Sequence, residues 1–218
     1  MRRLAALGVA ALVVVLLVVA QLVLPGVAAQ RLRDQLSRSG HVLEVQVSAF
    51  PALELLWHHA DSVVVRMASY RASPAKLPGT LDQSGSVGSL RASAQSFQDG
   101  LLTLHDASLV KNGNRLIGSA TVNESDLRAA APFLQSVTPV ASSGGRLTLR
   151  GTATLLGLSA TVDATVSSQD GKLIVAPDLP FGGLATITVF SDPRIQVQAV
   201  SATPVPGGFA VRGTAVLR

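Results

Sequence analysis

The one cluster of side chains in this sequence whose types suggest metal chemistry lies between residues 54 and 61. On a helix Glu54 and His58 would share one face, with His59 beside them and Asp61 about one turn further on. A zinc-binding helix needs two histidines at that spacing, and a zinc site needs at least three protein ligands. One imidazole and one carboxylate fall short of that set. We therefore predict no metal site and no cofactor.

No other motif in the sequence supports catalysis. A Gly-x-Ser-x-Gly nucleophile elbow is absent, and the glycine-rich pieces at 84–88 and 144–145 lack the lysine and the spacing of a phosphate loop. No pattern pairs a nucleophile with a base. We therefore expect a protein that is not an enzyme. A hydrolase or transferase with a dispersed site is the third of three functional hypotheses.

Apolar connections are more informative than these polar clusters. Residues 49–57 and 177–184 place large apolar side chains between strands, where polar turn residues are usual. Such loops either fold back over the end of a sheet or form an entrance for lipid. Together with two positions of a predicted helix, the side chains expected to line or gate that entrance are Phe50, Leu53, Leu56, Trp57, Phe133, Leu134, Phe181 and Leu184.

The N-terminal region has a helical pattern at residues 27–38, which continues or restarts after Pro25-Gly26. Before it lies a long apolar segment at residues 4–24, broken only by Gln21. At 1.5 Å per residue this segment makes a helix of roughly 31 Å, which is enough to cross a hydrocarbon core. Arg2 and Arg3 precede it and place the start of the chain on the cytoplasmic side. The chain beyond Pro25 is therefore expected to be exported.

Two interpretations of residues 1–29 remain open, and both make residues 30–218 an extracytoplasmic domain. An uncleaved signal anchor needs about 20 apolar residues, as are present here. A cleaved signal peptide needs small residues at the cut, which Val27-Ala28-Ala29 supplies. The protein is thus predicted to be membrane-anchored or secreted into the cell envelope.

The distribution of charge separates the N-terminal region from the rest. Of the net charge of +5, residues 1–38 contribute most, with five arginines against one aspartate. The remaining residues hold thirteen Lys and Arg against twelve Asp and Glu. A basic stretch beside an apolar segment favours contact with anionic lipid headgroups, and we predict a membrane partner and no nucleic acid. The absence of cysteine excludes disulfides and a lipoprotein anchor.

From His41 onward the apolar residues alternate with polar ones, as in residues 146–155. Alternation of this kind is typical of antiparallel strands with one buried face. About ten strands are predicted on this basis: 41–48, 61–68, 86–96, 101–110, 114–122, 146–155, 158–168, 171–176, 185–190 and 194–202 or 208–217.

Short glycine-rich turns between these runs predict a meander, and the fold class is α+β, mostly β. One helix interrupts the strands: residues 123–126 supply capping side chains, and Leu127, Leu134 and Val137 come next at helical spacing, with Pro132 as a kink. Many inward positions are small, which either lets a helix approach closely or leaves a ligand groove. These positions are Gly118, Ala120, Gly151, Ala153, Ala160, Ala164, Gly213 and Ala215.

The order of these features resembles the LmeA-like phospholipid-binding proteins of the actinobacterial cell envelope. The resemblance covers nearly the whole chain, and its most specific element is Ala49-Phe50-Pro51-Ala52-Leu53, in which Ala49 stands where members usually carry glycine. The other matching stretches are Gln30–Leu36, Asp61–Val65, Gly118–Leu127, Leu147–Gly151 and Gly171–Leu173.

The resemblance implies a long, curved antiparallel sheet wrapped on one or two helices, as in tubular lipid-binding domains, with acyl chains held in an apolar groove. It also implies a role in envelope glycolipid or lipoglycan assembly and no catalytic residues. The first hypothesis is therefore a phospholipid-binding protein of the cell envelope. The second is a structural envelope module whose apolar loops dock a protein partner, which the sequence does not identify.

Overall fold

A computed structural model describes residues 21–50, 55, 59–72, 87–130, 134–155, 158–178 and 186–218. Among these residues are two helices and twelve strands, so the prediction of a mostly β protein with helices and a curved sheet is confirmed. The helices are α1 (21–37) and α2 (Glu124–Ala130). The strands are β1 (Gly40–Ser48), β2 (Ala60–Arg71), β3 (Val87–Asp99), β4 (Leu102–Asn112), β5 (Arg115–Asn123), β6 (Leu134–Ser143), β7 (Arg146–Leu155), β8 (Leu158–Gln169), β9 (Lys172–Pro177), β10 (Ile187–Phe190), β11 (Ile195–Val205) and β12 (Gly208–Leu217).

The strands form two sheets, and the prediction of one long antiparallel meander is wrong in two respects. The first sheet has seven strands in the order β1-β2-β3-β4-β5-β12-β11, and the second has five in the order β10-β9-β8-β7-β6. In addition, β2 and β3 pair in parallel, whereas every other strand pair is antiparallel among those described. The connection from Arg71 to Val87 is long enough for the crossover that a parallel pair requires.

The predicted helix after residue 123 is much shorter than expected. It ends at Ala130, two residues before Pro132, because a proline ring disfavours helical backbone in the residue that precedes it. Leu134 and Val137, predicted to lie on this helix, belong instead to β6, which pairs with β7. Pro139 is tolerated within β6 because that strand is an edge of the second sheet.

The helix α1 continues through Pro25-Gly26, which was one of the two alternatives that the sequence left open. Proline removes one backbone hydrogen bond, and packing of the helix against the first sheet offsets that loss. Leu32 and Leu36 contact a buried cluster on β2 and β3 formed by Val63, Val65, Met67 and Ala94. Arg33 Nη2 also donates a hydrogen bond to the carbonyl oxygen of Leu43 on the edge strand β1, at 2.9 Å.

A second buried cluster joins the two sheets. Its members come from β5, β7, β8, β11 and β12, and they are Val122, Leu147, Val166, Ala202 and Phe209. Leu127 of α2 packs against it, which explains why so short a helix is held in place. The junction cluster, as we call it, includes Leu147, which is only 2% exposed.

At the junction, β11 lies against the tips of two hairpins of the second sheet. Val200 N–H donates to the carbonyl of Gly145 in the β6–β7 turn, and Val197 N–H donates to the carbonyl of Gly171 in the β8–β9 turn. A Cβ at Gly145 would lie 3.1 Å from the Cβ of Ala199, so a side chain does not fit there without movement. The close approach of the hairpins thus fixes how the second sheet meets the first.

Candidate functional site

One face of the first sheet is apolar along a row that crosses all seven strands. Residues directly opposite each other on neighbouring strands share a face of the sheet. The register therefore aligns, from β1 to β11, Val45, Val65, Ala92, Leu109, Gly118, Gly213 and Val200. We call this surface the apolar face. The strand alternation seen in the sequence thus produces a continuous apolar surface.

The apolar face is covered at both sides and open in its middle. Val65, near α1, is 7% exposed, whereas Leu109 is 38% exposed. The glycines that come after Leu109 in the row add to this opening, since a Cβ at Gly118 or at Gly213 would meet only one backbone oxygen within 4 Å, at 3.8 and 3.9 Å respectively. We call Leu109, Gly118 and Gly213 the Leu109 strip. In it, a partly exposed leucine lies beside two positions that carry no side chain.

The opposite faces of both sheets are polar and carry cross-strand ion pairs. Arg66 Nη1 lies 3.3 Å from Glu44 Oε2 on the first sheet, and Arg150 Nε lies 2.7 Å from Asp163 Oδ1 on the second. The hydrogen bond from Arg150 is the main reason that the pKa of Asp163 lies below its ordinary value. Exposed charges of this kind mark the water-facing side of each sheet.

Lys111 is a charged side chain placed on the apolar face. In the register it lies between Leu90 and Leu116, and it is only 3% exposed. Its ammonium Nζ donates a hydrogen bond to the carbonyl oxygen of Val87. Burial lowers the pKa of the Lys111 ammonium, because the charged form loses its hydration.

The short contact between His105 and Asp126 has a structural explanation. Nε2 of His105 lies 2.8 Å from Oδ2 of Asp126, which links β4 to the first turn of α2. A β-bulge comes directly after His105, and Asp106 adopts a positive φ of 48° in it. The bulge turns His105 toward α2. The pair therefore holds α2 on the first sheet.

A pocket of about 320 Å³ opens where α1 crosses the end of β1 and the start of β2. The helix contributes Pro25, Gly26 and Ala29, and the strands contribute Gln46, Val47, Ser48, Ser62 and Val64. Its lining is mixed, with apolar side chains from the helix facing hydroxyl groups from the strands. Phe50, two residues beyond Ser48, is 80% exposed.

Of the eight residues predicted to line an entrance, Phe50 is the one whose side chain the structure describes. Its backbone N–H donates to Asp61 Oδ2 at 2.7 Å, so the start of the β1–β2 connection is held while the ring remains in solvent. For Leu134 only the backbone is described, as the first residue of β6. The remaining six, which lie outside the described residues, stay predictions: Leu53, Leu56, Trp57, Phe133, Phe181 and Leu184.

The flanking strands divide these eight positions into two groups. The β1–β2 connection, with Phe50, joins strands of the first sheet, whereas β6 and the β9–β10 connection belong to the second sheet. Of the polar cluster between residues 54 and 61, Glu54 and His58 also lie outside the described residues, and Asp61 accepts the bond from Phe50. No group of three metal-ligating side chains occurs in the part of the chain that the structure describes.

Sequence reasoning missed the Leu109 strip. The alternation in β4 places Leu109 on the inward face, and Gly118 and Gly213 were among the small inward residues predicted from the sequence. What no single strand reveals is that these positions are neighbours, because β5 pairs with β12 across a long stretch of sequence.

Comparison with protein-family models, with curated proteins and with solved structures found no match for this chain. Within the described ranges, which begin at residue 21, no helix has the length and apolar character needed to cross a membrane.

Proposed function

We propose that this chain is a membrane-tethered, extracytoplasmic lipid-binding protein that holds the acyl chains of a phospholipid against its apolar face. The observation that carries the proposal is the Leu109 strip, where a large apolar side chain is 38% exposed between the part of the face under α1 and the part at the junction cluster. Burying acyl chains there gains about 0.8 kcal/mol for each CH₂ removed from water. A few such groups compensate for the cost of ordering the chain.

The proposal also includes a tether and a cellular role. Residues 4–24 supply the membrane segment, and Arg2 and Arg3 orient it. The resemblance to the LmeA-like family supports phospholipid as the ligand class and assistance to envelope glycolipid or lipoglycan assembly as the role. No catalytic step is part of the proposal.

The test uses the full chain, purified in detergent and incubated with a phosphatidylglycerol that carries a diazirine in one acyl chain. After illumination, mass spectrometry identifies the labelled peptides. We expect label on the β4 and β5 peptides that contain Leu109 and Gly118. Leu109→Glu should reduce label there at least about tenfold, which corresponds to about 1.4 kcal/mol, because a charge in an apolar site costs more than that.

Leu101→Glu is the matched control, since Leu101 is 76% exposed in the β3–β4 turn and lies outside the apolar row. This variant should label like the unmodified chain. Circular dichroism confirms that both variants are folded. Absence of label on the strip, or equal labelling in the two variants, contradicts the proposed site. Every sample carries the same N-terminal segment, so lipid bound to that segment does not affect the comparison.

The second candidate is a structural module that docks a protein partner, and β10 favours it. This edge strand of the second sheet has all four residues exposed, including Ile187 and Val189 at 61% and 59%. Exposed edge strands pair readily with a strand from another chain. Two results together would support this candidate. The Leu109 strip would take no lipid label, and the Val189→Lys variant would lose association with envelope proteins.

A further inference from the structure

The exposed side of α1 changes from apolar to polar within one turn. Leu22, Val23 and Val27 are exposed, at 76%, 52% and 42%. From Gln30 onward the exposed positions of the same helix are polar or charged, beginning with Gln30 and Arg31. A helix that passes from hydrocarbon into the headgroup region and then water requires such a change.

The residues that line the pocket show which part of the first sheet lies beside this change in α1. Pro25, Gly26 and Ala29 line one pocket together with Ser48 at the end of β1 and Ser62 near the start of β2. The strand ends therefore lie beside the turn of α1 in which the exposed side becomes polar. We call this end of the sheet, where β1 ends and β2 and β3 begin, the Phe50 end.

The helix cannot swing freely relative to the sheet. It is continuous over 21–37, it packs Leu32 and Leu36 on the buried cluster of β2 and β3, and it donates from Arg33 to the backbone of β1. A flexible linker would let the domain take any orientation at a membrane. A packed helix transmits the orientation of the apolar segment directly to the sheet.

We propose that the Phe50 end of the first sheet docks on the surface of the lipid bilayer, with the water boundary crossing α1 between Val27 and Gln30 and the Phe50 ring inserted at the interface. The inference rests on the proposed function, because it takes residues 4–24 as the membrane segment. The apolar segment runs directly into the exposed apolar side of α1, and this continuity identifies lipid as the occupant.

The charges near the boundary fit an anionic bilayer surface. Arg31 is exposed and lies about 10 Å beyond Leu24 along the helix, just outside a headgroup region about 5–8 Å deep. The other end of the first sheet is remote from the bilayer in this arrangement. Leu101 comes after β3, whose 13 residues span about 40 Å. Leu101 is 76% exposed, so it closely matches Phe50 in exposure at the opposite end.

Spin labels on single cysteines test the inference directly, since the chain contains no cysteine of its own. Three full-length variants, Leu22→Cys, Phe50→Cys and Leu101→Cys, are labelled and reconstituted in vesicles of equal parts phosphatidylcholine and phosphatidylglycerol. Collision rates with oxygen, which concentrates in hydrocarbon, and with a water-soluble nickel chelate give the depth of each label. We expect label 22 in hydrocarbon, label 50 at the interface and label 101 in water, with the nickel collision rate at 50 several-fold below that at 101.

The three positions separate failure of the inference from failure of the proposed function. If label 22 lies in hydrocarbon while labels 50 and 101 are equally accessible to nickel, docking is overturned and the tether stands. The same holds if label 101 is the one protected. If label 22 is itself in water, the tether and the docking are overturned together, while lipid labelling of the Leu109 strip remains a separate measurement. Unfolding midpoints close to that of the unmodified chain show that the labels preserve the fold.

Discussion

The two sheets have the same alternation of apolar and polar residues, but their apolar faces are buried to different extents. In the first sheet, Val65 under α1 and Phe209 in the junction cluster are 7% and 4% exposed. In the second sheet, burial is concentrated where β11 and β12 cross it, at Leu147 and Val166. Leu149, two residues after Leu147 on the same face of β7, is only half-buried.

The comparison shows that alternation selects a face and that other elements decide whether the face is buried. The first sheet is covered by a helix at one side and by the second sheet at the other, and the Leu109 strip lies between those two covers. The second sheet depends for its burial on its junction with the first. Stability and ligand binding are therefore expected to map onto different parts of the same apolar face.

The largest expected effect tests this difference within one strand. Leu147→Ala should lower the free energy of unfolding by about 3 kcal/mol, because it leaves a cavity in the junction cluster. Leu149→Ala, on the same face of β7 but half-buried, should lower it by about 1 kcal/mol. Urea denaturation of the full chain in one detergent measures both. Equal losses would mean that burial extends evenly along the second sheet.

A second test concerns how closely the sheets approach each other. Gly144 and Gly145 both have positive φ, at 58° and 76°, but an added Cβ meets Ala199 only at Gly145. Gly144→Ala should cost about 1 kcal/mol for its left-handed backbone, and Gly145→Ala about 2 kcal/mol because the contact with β11 adds to that strain. Thermal unfolding of the two variants measures the difference. If Gly144→Ala is the more damaging variant, the β6–β7 turn does not support β11.

The smallest expected effect lies on the water-facing side of the second sheet. The Arg150 hydrogen bond holds the pKa of Asp163 below its ordinary value of 3.8. A depressed carboxyl pKa stabilises the folded state above the unfolded pKa, and this contribution is lost as pH falls through the folded pKa. We therefore expect a slight loss of stability at acid pH that Arg150→Gln abolishes. NMR titration of Asp163 in both forms measures the shift, and an unchanged pKa in Arg150→Gln would contradict the pairing.

Local patterns predicted most of the strands because a strand with one buried face shows alternation in its own sequence. The β7–β8 and β11–β12 hairpins are of this kind, and the β11–β12 turn contains glycine where the backbone requires it, at Gly207. The same reasoning failed at β6, because Leu127, Leu134 and Val137 match a helical period by chance across Pro132. An edge strand that contains proline has little local signal.

Prediction of the candidate site from sequence was less complete. Phe50 is the residue of the predicted entrance in the β1–β2 connection whose side chain the structure describes, and it is 80% exposed, while the other entrance residues stay predictions. Gly118 and Gly213 were among the small positions expected either to admit a helix or to leave a groove, but Leu109 was not recognised, because it looks like an ordinary inward position within its own strand. The openness of the Leu109 strip depends on the absence of a covering side chain between α1 and the junction cluster, among the residues that the structure describes, which is a property of the assembled sheets.

Local sequence patterns establish that the chain is mostly β, which side of each long strand is apolar, and that the net positive charge is concentrated near the N-terminal apolar segment. These properties arise from neighbouring residues, whose spacing sets the face on which each side chain lies. Contacts in the folded chain decide that β2 and β3 run parallel, that β11 joins two sheets and that Leu109 stays exposed. Each of these depends on contacts between residues far apart in the chain, and burial at such contacts overrides local preference.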